Sequence, residues 1–74
     1  MTLQELGSAL SQMYFESNNG EAVAMIHLFG IKYAEEIRES GESMKAIALA
    51  AGIPESYGTE VAKGVKLSKY VQPK

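Results

Sequence analysis

Gly52, Ile53 and Pro54 constrain this chain more than any other stretch. They sit inside the run SMKAIALAAGIPESYGTEVAKG, residues 43–64, where one apolar helical face ends and another begins. Ser43 can cap a helix whose apolar positions Met44, Ile47, Ala48 and Ala51 share one face. Gly52 closes that helix cheaply, because glycine enters the left-handed conformation with no Cβ to clash. Pro54 then favours the first turn of a new helix, where its missing N–H would be unpaired anyway. In that second helix Tyr57, Val61 and Val65 point inward, and Thr59, Ala62, Lys63 and Lys66 point outward. The small residues Ala46, Ala48, Ala50 and Ala51 let two helices cross closely. Two short helices joined at Gly52 are the expected result.

The rest of the chain reads as two longer helical stretches ahead of this pair. Thr2-Leu3-Gln4-Glu5 has the spacing of a capping box, and Leu3, Leu6, Leu10, Met13 and Tyr14 fall on one face behind it. Ser17-Asn18-Asn19-Gly20 is a turn by composition. A second helix starts there, with Asn18 and Glu21 in cap spacing and a stripe of Val23, Ile26, Gly30, Tyr33 and Ile37. Ala22, Met25, Leu28, Phe29 and Ile31 make its first half apolar almost all round, which places that half at the centre of the domain. Gly30 costs ~1 kcal/mol against Ala in a helix, so it either admits a close crossing or splits the segment in two. Ser40-Gly41 ends the stretch. Residues 65–71 satisfy helix and strand patterns alike, so the last helix ends near Gly64 or about a turn beyond it, or gives way to a short strand. The expected fold is all-α: a single domain over residues 1–74, a small compact bundle of four helices near 2–16, 21–39, 43–51 and 54–64.

Composition excludes several function classes. A chain of 74 residues makes one small domain and buries only ~60% of its unfolded surface. It has no cysteine, which removes disulfides, cysteine-ligated zinc and thiol catalysis together. The apolar run Ala22–Ile31 is too short to cross a bilayer, and the stretch after Met1 does not resemble a signal peptide, so a cytoplasmic location is expected. No Asp occurs, no Ser-His-acid set is available, and no glycine-rich phosphate loop is present. Neither catalysis, nor a cofactor, nor a small-molecule substrate is expected. His27, the one histidine, lacks convergent partners for a metal and reads as structural or partly exposed. Glu35, Glu36 and Glu39, interleaved with Lys32 and Arg38, read as a solvated face.

The net charge of −2 is unevenly spread. Residues 1–60 hold nine Glu against Lys32, Arg38 and Lys45, whereas residues 61–74 hold Lys63, Lys66, Lys69 and Lys74 and no acid. Local potential, not net charge, steers a polyanion, so the basic end suits a phosphate-facing surface. It equally suits a solvated, lysine-rich terminus.

The segment IALAAG, followed by Ile53, a turn and a second helix, is similar to the helix-turn-helix of bacterial and phage transcription regulators. The resemblance covers residues 43–64. It makes Ala48 the small residue facing the second helix, Gly52 the turn glycine and Ile53 the apolar plug under the turn. Where that family usually has a branched apolar residue six positions after the turn glycine, this chain has Gly58. Either Tyr57 and Val61 fill the space, or the second helix starts later with Ser56 as its cap. Winged variants of the family would release a strand after Gly64.

The resemblance implies binding to double-stranded DNA, in transcriptional regulation or DNA targeting. The second helix would enter the major groove with Glu55, Ser56, Thr59, Ala62 and Lys63 near base edges and backbone. Lys45, Lys63, Lys66 and Lys69 would neutralise phosphates, and Tyr57 would either pack under the turn or give its hydroxyl to one. Glu55 and Glu60 in the same helix oppose this, since carboxylates repel phosphate. With so few lysines for one half-site, a homodimer is expected. The competing reading is a helical interaction or dimerisation module without nucleic-acid binding, favoured by the acidic body and the very apolar segment 22–31.

Overall fold

In a computed structural model, which describes residues 1–71, the capping signals at Thr2 and Ser43 act where their spacing puts them. Thr2 opens α1 (Leu3–Phe15) with a complete capping box. The Glu5 N–H donates to Thr2 Oγ1 at 3.1 Å, and the Thr2 N–H donates to Glu5 Oε1 at 2.8 Å. Ser43 opens α4 (Met44–Ala50) by accepting the Ala46 N–H at 3.0 Å. Each bond satisfies an amide that the first helical turn would leave unpaired.

The stretch read as one helix over 21–39 is two: α2 (Ala22–Lys32) and α3 (Ala34–Ser40). The break falls at Tyr33, whose backbone leaves the helical region at φ −108 and ψ 21, and not at Gly30. Hydrogen bonds continue on either side, from the Tyr33 N–H to Phe29 O and from the Ile37 N–H to Tyr33 O, so the chain bends without being released. Ala34 and Ile37 still reach the core, and Gly41 ends α3 in the left-handed conformation. Asn18 does not cap α2. It accepts the Glu21 N–H with its backbone carbonyl, and Glu21 holds the cap position without a side-chain bond.

The last helix departs from expectation at its start, while its end at Leu67, about a turn beyond Gly64, is one of the ends expected. Pro54 stays extended, a 3-10 turn over Glu55–Tyr57 follows, and α5 runs Gly58–Leu67 straight through Gly64. Ser56 is therefore not its cap, and no strand or wing occurs among the described residues. Among the described residues five α-helices replace the expected four.

These helices close a ring in which α1 packs on α2 and α4, and α5 packs on the same two from the other side. Leu6, Leu10, Ile26, Phe29, Ile47, Ala48 and Val61 are wholly buried inside it, with Ile37 nearly so. Of the predicted second stripe, Val23 alone faces solvent. The tightest joint is α2 against α5, where Gly30 and Gly64 let the two backbones meet. That joint fixes the orientation of α5. No helix of the described residues is long and apolar enough to cross a membrane.

Candidate nucleic-acid interface

The joint between α4 and α5 is built on three residues. Gly52 takes φ +79 with nothing near its missing side chain, so its role is conformational. Its N–H donates to Leu49 O at 3.0 Å, and the Ile53 N–H donates to Ala48 O at 3.2 Å. This pair of bonds is a Schellman closure, which satisfies carbonyls that a helix end would leave unpaired. Ile53, directly after the turn glycine, and Ala48, in α4, are both buried, as a plug and a small facing residue need to be.

Gly58, the position where a branched apolar residue was missing, is the first residue of α5 and lies against the start of α4. A Cβ there would come 3.0 Å from Lys45 N and 3.1 Å from Met44 C. Contacts that close leave the neighbours little room, so glycine allows the two helix starts to abut. Lys45, exposed in the first turn of α4, is thereby carried to the same end of the molecule as the start of α5.

With about 100° between successive residues, Thr59, Lys63 and Lys66 fall in one narrow arc of α5 opposite Val61 and Val65. All three are exposed. Ala62 forms one shoulder of this ridge and is half-buried. Glu55 and Ser56 lie exposed in the 3-10 turn that leads into it. The Thr59 hydroxyl donates to Ser56 O at 2.9 Å, which ties the ridge to that turn. Tyr57 does not stand on the ridge. It is half-buried, with its ring 5.8 Å from that of Tyr14, and packs on the core. Lys69 follows α5 and leaves the ridge for a groove beside α2 and α3.

Glu60, on the other shoulder, is placed in a way that local pattern does not reveal. Its Oε1 lies 2.7 Å from His27 Nε2 on α2, and its Oε2 accepts from Lys63 Nζ at 3.2 Å. The His27 bond first, and the Lys63 bond second, hold the Glu60 carboxyl below its ordinary range. The acid that seemed to oppose phosphate is thus turned toward α2 and partly neutralised. His27 and Glu60 are 33 residues apart, so no spacing rule could pair them. The remaining signal was composition alone, one half-apolar helix carrying a histidine and one facing helix carrying an acid.

The resulting surface is a short helix held by a glycine turn, with a threonine and two lysines along its outer ridge and a third lysine at its entrance. The model of a family described as an HTH-like domain matches residues 2–74. No match was found among curated proteins or solved structures.

Proposed function

The chain belongs to the HTH-like domain family, and from that premise we propose that it binds double-stranded DNA through α5. The observation that carries the reading is the Gly52–Ile53 closure, which sets the Thr59–Lys63–Lys66 ridge outward as the second helix of a helix-turn-helix. An α-helix fits the major groove of B-DNA, so the ridge enters it with Thr59 and Ala62 near base edges and Ser56 near the backbone. Lys45 and Lys66 lie on phosphates, joined by Lys63 when it leaves Glu60. The domain is a non-catalytic binding module that addresses a regulatory or targeting activity to DNA. Two copies on adjacent half-sites supply the cations that one ridge lacks.

Binding of the whole chain to short duplex DNA at two salt concentrations tests this. The reading requires affinity that falls as salt rises, because phosphate contacts release counterions. Affinity that is absent, or indifferent to salt, would remove it.

One observation favours the competing reading of an interaction module. Leu67 and Tyr70 are exposed beside His27 at the end of α5, and such an apolar patch suits a protein partner. Sedimentation of the chain with and without DNA separates a dimer formed through this patch in the absence of DNA from copies that come together only on the duplex.

A further inference from the structure

Lys69 does not continue the α5 ridge but turns into a groove bounded by α2, α3 and the segment after α5. The groove is open, about 510 Å³, and is lined by Lys32, Arg38 and Lys69 together with Ser68 and one acid, Glu35. Three of the chain's seven basic residues therefore meet at one place, although only one of its nine acids does. Glu35 is not free to cancel all three. It accepts from Arg38 Nη1 at 2.8 Å, one helical turn away and with its side chain largely exposed. Lys32 stands 5.5 Å from the Tyr33 ring, and among the described residues neither Lys32 nor Lys69 has a carboxylate within ion-pair distance.

We infer that this groove is a second phosphate-binding surface, which holds the sugar-phosphate backbone of the duplex whose major groove α5 enters. The inference rests on the DNA reading of α5 and extends it to residues outside the helix-turn-helix. Its chemistry is charge complementarity: an open trough with a guanidinium and two ammonium groups that have no ion-pair partner among the described residues suits the oxygens of a phosphodiester chain. Lys66 and Lys69 mark the continuity, since the first lies on the ridge and the second, three residues on, lies in the groove. An interface confined to the ridge would have two to three cations. With the groove included it has a second cluster, which an acidic body needs in order to hold a polyanion.

The test measures duplex binding against salt for the whole chain and for K32Q, K69Q, the double variant and E35Q. Circular-dichroism melts establish that each variant is folded. Each lysine that contacts a phosphate should lower the slope of log affinity against log salt by about 0.9 when replaced, without changing sequence preference. E35Q should bind DNA a few-fold more tightly than the parent, because it frees Arg38 and removes the one carboxylate that lines the groove among the described residues. That gain is something a merely structural role for the cluster would not give. If the parent binds with the expected salt dependence but K32Q, K69Q and E35Q leave both slope and affinity unchanged, the groove is overturned and the α5 reading stands. If the parent shows no salt-sensitive binding, the α5 reading itself falls, and the groove falls with it.

Discussion

Gly30 on α2 and Gly64 on α5 lie in contact across the domain, with no room for a β-carbon on either. A Cβ on Gly30 would stand 2.6 Å from Val61 O and 2.8 Å from Gly64 Cα. One on Gly64 would overlap the His27 carbonyl and stand 2.9 Å from Gly30 Cα. Every one of these neighbours is backbone, which cannot rotate away. The joint also carries the His27–Glu60 bond and sets the direction in which the α5 ridge faces.

Gly64→Ala should therefore destabilise the domain, although it improves intrinsic helix propensity by ~1 kcal/mol. Overpacking against rigid neighbours costs ~1–3 kcal/mol, and here two helices must separate, so the steric term wins. A thermal melt checks it. A variant that melts at or above the parent temperature would mean that the helices part without loss.

Leu10→Ala and Ile26→Ala should each cost ~2–5 kcal/mol, since both side chains are wholly buried and each truncation leaves a cavity. A domain this small has little stability to lose, so either variant should be largely unfolded near 37 °C. Val23→Ala, from the same predicted stripe as Ile26, should be close to neutral because Val23 is 42% exposed. Urea unfolding of the three variants checks the ranking.

Much of this architecture is legible in the residues because it is local. Thr2 with Glu5, Ser43 with Ala46, and Gly52 with Ile53 act within a few residues of one another, and each does what its spacing suggests. Other features are not local, or carry no mark in the residues. Gly64 resembles a helix end, but it is the point where α5 meets α2, and that contact is with Gly30, far away in sequence. Tyr33 breaks a helix although neither glycine nor proline marks it. Val23 fits the periodicity of its stripe yet remains in solvent. In the candidate interface the ridge of Thr59, Lys63 and Lys66 followed from helical period alone. The turning of Glu60 toward His27 and the departure of Lys69 into a groove did not, because both depend on where α2 lies.

Glu60 should contribute to stability in a pH-dependent way. Its folded carboxyl is held below the ordinary range by the His27 and Lys63 bonds. A depressed carboxylate adds stability that is complete above the unfolded pKa, about 4.3 for Glu, and is lost as pH falls through the folded value. Glu60→Gln should thus lower the melting temperature at pH 7, and the gap from the parent should close as the pH approaches 3. Melts of both proteins at the two pH values check it. Parallel curves would mean that the bond contributes nothing.

The last prediction separates the residues of the ridge by what already occupies them. Lys63 shares its ammonium with Glu60 at 3.2 Å, whereas Lys66 has no carboxylate within ion-pair distance among the described residues. If both face phosphate, Lys66→Gln should lower the salt slope of duplex binding by about 0.9, and Lys63→Gln should lower it less. Thr59 should behave differently again. Its hydroxyl proton is committed to Ser56 O, which leaves a lone pair and a methyl group to meet a base edge. A threonine methyl packs on the methyl of thymine, and a hydroxyl oxygen accepts from an exocyclic amino group. Thr59→Ser keeps the hydroxyl and loses the methyl, and Thr59→Val does the reverse. Both should leave the salt slope nearly intact, and the two should shift sequence preference in different directions. Selection from a pool of random duplexes, read beside the salt titration, measures both quantities on the same proteins. Should the Thr59 variants choose the same sequences as the parent while Lys66→Gln flattens the slope, α5 would be lying along the phosphate backbone and not in the groove.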